Sequence, residues 1–182
     1  MDRKAIIFAI AAFLAVLFVS TIGTSLTGFT VLDQSQITLE DYPYPFIKNN
    51  MYNDIYIVIP YNYDAEEYTA ALRIANSLQT TQPLLPKIVT DKTLPEGEHN
   101  LIIIGNPCNN ELIAKELDTN RCSLGLDINE GLVQLINHKR TSSLVISGDS
   151  DKASRVLTSN FYPLIGTRVI VTGTKSLSLA YG

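Results

Sequence analysis

From residue 55 onward the chain alternates short apolar runs with stretches whose apolar residues recur at helical spacing. Ile55 to Ile59 (IYIVI) is continuous and rich in β-branched residues, as in a strand buried on both faces. Pro60 closes it. Asp64, with Glu67 three places on, forms a capping box: each side chain satisfies a free backbone donor, and a helix opens. Tyr68, Ala71, Leu72, Ala75 and Leu78 give that helix one apolar stripe. Pro83 and Pro86 interrupt the connection, and Lys87 to Thr90 (KIVT) predicts the next strand.

The cycle then repeats. Leu101 to Ile104 (LIII) is a second buried strand, ended by Gly105-Asn106-Pro107, and Asn109 or Asn110 caps a short helix through Leu117. Leu132 to Ile136 predicts another strand, and Leu144-Val145-Ile146 a further buried one. A helix carrying Ala153, Val156, Leu157 and Phe161 follows Gly148, Asp149 and Asp151. Arg168 to Thr172 (RVIVT) is the last strand, closed by Gly173. This alternation predicts an α/β fold: a largely parallel sheet with helices on both faces.

The residues before it divide in two. Ala5 to Val19 is wholly apolar, Arg3 and Lys4 precede it, and no charge follows until Asp33. Two expectations stand side by side. One is a cleaved signal peptide, with small residues at Thr21-Ile22-Gly23 or Gly23-Thr24-Ser25. The other is a membrane anchor helix continuing through Val31. Both imply export, with Arg3 and Lys4 inside and the chain after Asp33 outside. The expected organisation is therefore a signal or anchor at 1–32, an extended Tyr/Pro segment at 33–54 and the α/β domain at 55–182. Within the middle segment, Tyr42-Pro43-Tyr44-Pro45-Phe46 cannot be helical, because each Pro removes a donor and restricts its predecessor. It is expected to lie extended with its rings on the domain. Asn49-Asn50 and Asn53-Asp54 mark turns.

Charge narrows the partners. The net charge is −4 with no basic block, which argues against nucleic acid, since phosphate binding needs clustered Lys and Arg. The two cysteines, Cys108 and Cys122, are a lone pair in a chain expected outside the cytoplasm, where a disulfide is favoured.

Parallel sheets bind ligands at the carboxyl ends of their strands. Here that edge is expected to carry Tyr61-Asn62-Tyr63-Asp64, Gly105-Asn106-Pro107 and Gly148-Asp149-Ser150-Asp151. Asp64, Asp149 and Asp151 are candidate oxygen ligands for Ca²⁺ or Mg²⁺. Each also stands where a helix wants a cap, and capping is the favoured role. Tyr42, Tyr44, Tyr61 and Tyr63 are the candidate aromatic platform for a glycan. No cofactor is expected. Gly173-Thr174-Lys175-Ser176 lacks the glycine spacing of a phosphate loop, and Ser147 has Val145 where a nucleophile elbow wants Gly. His99 and His138 lie in polar segments without an evident catalytic partner. No catalytic machinery is recognised.

One family likeness runs through these elements. Tyr42-Pro43-Tyr44-Pro45-Phe46-Ile47, the Ile55–Pro60 strand, Asp64 and Ile74-Ala75-Asn76-Ser77-Leu78 resemble archaeal S-layer proteins. So do Asn100 to Cys108 (NLIIIGNPC), Glu111 to Leu117 and Cys122, which look like that family's Gly-Gly-Pro-Cys stretch and its paired cysteine. Gly131 to Leu135, Leu144 to Gly148, Ala153 to Leu157 and Val169 to Thr174 follow its closing order. The resemblance spans about 42–174. Asn106 replaces a Gly, Asp149 stands where an aromatic is usual, and the Asp-Thr pair before the last helix is absent. Lattice-forming members are much longer, so the chain is expected to correspond to the shared domain alone. The resemblance implies a structural or interaction protein of the cell envelope, working through protein–protein contacts. Its place would be the extracellular side of the cytoplasmic membrane or the cell surface, with membrane contact through an uncleaved leader. The alternative is a membrane-tethered extracellular binding module for a divalent cation or an envelope glycan.

Overall fold

The computed structural model describes residues 37–78, 80–81, 85–159, 162–173 and 177–182. The leader expected at 1–32 and Phe161 of the expected last helix lie outside them; among the described residues no helix is long and apolar enough to cross a membrane.

Leu39–Asp41 form a 3₁₀ turn, followed by turns through Phe46 and a hairpin of β1 (Ile47–Lys48) and β2 (Met51–Tyr52). Asn49 and Asn50 both have positive φ, as a two-residue hairpin loop requires. The segment is therefore turned rather than extended. Its ring packing is nonetheless tight at one point, since Phe46 is completely buried.

The remaining strands are β3 (Ile55–Ile59), β4 (Lys87–Thr90), β5 (Asn100–Ile104), β6 (Gly131–Asn137), β7 (Ser142–Gly148), β8 (Arg168–Thr172) and β9 (Ser178–Tyr181). The helices are α1 (Ala65–Ser77), α2 (Glu111–Glu116) and α3 (Ser150–Thr158). The strands form one sheet in the order β4-β3-β5-β7-β6-β8-β9.

This sheet is mixed, which corrects the expectation of a largely parallel one. β4, β3, β5 and β7 run parallel, whereas β6 pairs antiparallel with β7 and β8, and β9 antiparallel with β8. The cause is connection length. Only His138 to Thr141 separate β6 from β7, and a parallel pair needs a crossover of a dozen residues or more.

One face of the sheet carries Ile57, Ile59, Ile102, Ile104, Leu144 and Ile146 against α1 and α3. The other carries Val58, Leu101, Ile103 and Val145 against Ile113 of α2. Strands buried on both sides explain the continuous apolar runs; each fully buried Ile or Val is worth roughly 1.5–3 kcal/mol. Helix α1 buries Glu67, Ala70, Ala71, Ile74 and Ala75 and turns Tyr68 and Leu72 outward, so its buried stripe is rotated from the one expected. Ala70 and Ala71 in α1, with Ala153 and Ser154 in α3, are all buried, and the two helices pack together.

Candidate functional site

At the carboxyl ends of β3 and β5 the structure fills the expected ligand crevice with its own side chains. Asp64 caps α1: its Oδ1 accepts from the Glu67 amide at 2.8 Å, and Glu67 Oε2 accepts from the Asp64 amide at 3.0 Å. Glu67 Oε1 accepts from Asn109 Nδ2 at 2.8 Å, and Asn109 Oδ1 accepts from the Asn106 amide at 2.8 Å. Gly105 leaves room for this network. It has φ +129°, and a Cβ there would stand 2.8 Å from Pro60 and 2.9 Å from Asn109 Oδ1. Glu67 is only 7% exposed. Burial pushes its carboxyl above the ordinary glutamate value, against the hydrogen bonds from Asp64 and Asn109, which lower it.

The other two acids are also engaged. Asp149 caps α3, accepting from the Lys152 amide at 2.9 Å and pairing with Lys152 Nζ at 2.7 Å. Asp151 pairs with Arg73 at 2.8 Å and with Arg155 at 2.8 Å. Arg73 also donates to Ser154 Oγ at 2.6 Å, so this cluster ties α1 to α3. Among the described residues no group of three or more His, Cys, Asp or Glu is arranged to hold a metal ion.

The tyrosines fall into two sets. Tyr42 and Tyr44 pack against the core, and burial pushes the Tyr42 phenol well above its usual range. Tyr61 and Tyr63 are exposed beyond β3, where Tyr63 stacks on Tyr68 with ring centres 5.6 Å apart. The four rings therefore do not make one platform.

Cys108 and Cys122 are joined in a disulfide with their Cα atoms 5.1 Å apart, within the span such bonds accept. Both lie at the surface. The bond pins the segment after α2, which walls a groove of about 990 Å³. The groove lies over β6 and β8, on the sheet face away from α1 and α3. Leu132, Gln134 and Ile136 alternate along its floor with Arg168, the register partner of Gln134. Leu117 and Leu124 face them from the pinned segment.

Arg168 is the unusual member. It is half-buried, its guanidinium makes no ion pair or hydrogen bond among the described residues, and its Nε is sealed from solvent without an acceptor. The nearby Glu116 is already held by His138 Nε2 at 2.9 Å. Sequence reasoning did not single out this groove. Arg168 enters the sequence pattern only as the first residue of the last strand, and nothing local links it to Gln134 or Leu117.

No protein-family model and no curated protein matches this chain.

Proposed function

We propose that this protein is an exported cell-envelope domain of the archaeal S-layer kind, acting through protein–protein contacts. The observation that supports it most is the surface disulfide Cys108–Cys122, since such bonds persist in oxidising surroundings and are rare in reducing ones. The apolar 5–19 run behind Arg3 and Lys4 points the same way. Folding and association are all that this role requires. The tethered cation-binding alternative has no comparable support, because Asp64, Asp149 and Asp151 are each taken up by a cap or an ion pair.

The test is mass analysis of the protein recovered from its native envelope without reductant. A terminus near Thr24 or Leu26 and a mass two hydrogens light support a cleaved, disulfide-bonded surface domain. An intact Met1 in the membrane fraction supports a tethered one. Recovery from the cytosol with both thiols free defeats the proposal.

A further inference from the structure

We infer that the groove beside the disulfide is a docking site for an acidic peptide segment, with Arg168 receiving a carboxylate and the half-buried Ile136, Leu117 and Leu124 receiving a neighbouring aliphatic side chain. The groove carries this whatever compartment the protein occupies. Its starting point is an unsatisfied charge. The Nε of a half-buried guanidinium, sealed from solvent with no acceptor, is costly, because its lost hydration is not replaced. Arg is also the side chain whose planar fork best matches a carboxylate, so an incoming Asp or Glu would supply what the free protein lacks.

The surroundings select the rest of the ligand. Ile136 on the floor and Leu117 and Leu124 on the wall are half-buried aliphatics, with Leu132 fully buried beneath them and no aromatic ring in the lining. A sugar ring would gain little from such a surface, whereas a leucine or valine side chain would bury against it. Gln134, beside Arg168, offers both a donor and an acceptor, the pair that a peptide backbone can use. Arg121 on the rim adds a second positive charge. Two acids also border the groove. Glu116 is paired with His138, which leaves Asp118 as the rim carboxylate opposing Arg121 and Arg168. The volume is ample for a short extended segment.

The experiment uses the full chain in detergent and a peptide of alternating Leu and Glu carrying a neutral dye, followed by fluorescence anisotropy. Saturable binding is expected, and about tenfold weaker binding when Gln replaces Glu in the peptide. Arg168→Met should weaken binding about tenfold or more and at the same time raise the melting temperature of the free protein, since it removes a half-buried guanidinium whose Nε has no acceptor. Arg121→Gln, at an exposed position, should weaken binding about threefold. Arg140→Gln, at a residue 82% exposed and outside the groove, should leave it unchanged. Failure of the wild type to bind, equal binding of the Gln peptide, or unchanged affinity in Arg168→Met overturns the inference. A lower melting temperature in that variant makes Arg168 structural and overturns it too. Displacement of the peptide by trigalacturonate at equal or lower concentration assigns the groove to an acidic saccharide instead.

Discussion

Glu67 shows how one position can be legible in role and hidden in consequence. The spacing Asp64–Glu67 announces a capping box, and the structure contains it. Burial of the carboxyl was not legible, because it depends on Asn109 arriving from another segment. The sign of its effect follows from the direction of the shift. A carboxyl raised in the folded state favours the protonated fold, so its contribution is full below the ordinary glutamate value and is lost as pH rises through the folded one. Glu67→Gln removes this dependence. Denaturant titrations at several pH values should therefore show the wild type losing ground to the variant between pH 4 and neutrality. A constant difference would mean that Glu67 ionises normally. Asp149 makes the simpler case. Asp149→Ala removes the cap of α3 and should cost about 1 kcal/mol by denaturant melt.

At the scale of elements, three of the four parallel strands, β3, β5 and β7, were legible because burial on both faces leaves continuous runs such as Ile55–Ile59. Strand direction on the other side of β7 was not read correctly, although its signal was present in the four residues between β6 and β7. β9 was missed altogether: Ser178 to Tyr181 has one buried-side residue at most, and its partner β8 supplies the context. Helix α1 misled for a related reason. Small residues, Ala70, Ala71 and Ala75, fill its buried side where it packs on the sheet and on α3, and the bulkier Tyr68 and Leu72 lie at the surface. One close approach gives a prediction. A Cβ on Gly131 would stand 2.6 Å from the Asp149 carbonyl and 3.1 Å from the Ala153 Cβ. Backbone cannot yield as a side chain can, so Gly131→Ala should destabilise by about 1–3 kcal/mol, measured by chemical unfolding. An unchanged midpoint would show that α3 is free to shift away.

For the whole molecule, the groove was beyond the reach of sequence because its parts converge only when β6 pairs with β8 and the segment after α2 folds over them. The cysteine pair was legible from its count together with the expected place outside the cytoplasm. Its loop, with a separation of 14 residues, should contribute about 3 kcal/mol, so reduction should lower the denaturation midpoint accordingly. No loss on reduction would mean that the bond constrains little in the unfolded chain. The position of the two sulfurs has a further consequence. The ring they close contains α2 and none of the seven sheet strands. Opening it loosens the cover of one sheet face, held otherwise by Ile113, while the sheet itself needs no sulfur of its own. Hydrogen exchange after reduction should then speed up through residues 109–121 while amides of β5 and β7 stay slow, revealing two units that open independently. In that design, thiol chemistry outside the fold would govern what the groove can hold without governing whether the sheet exists.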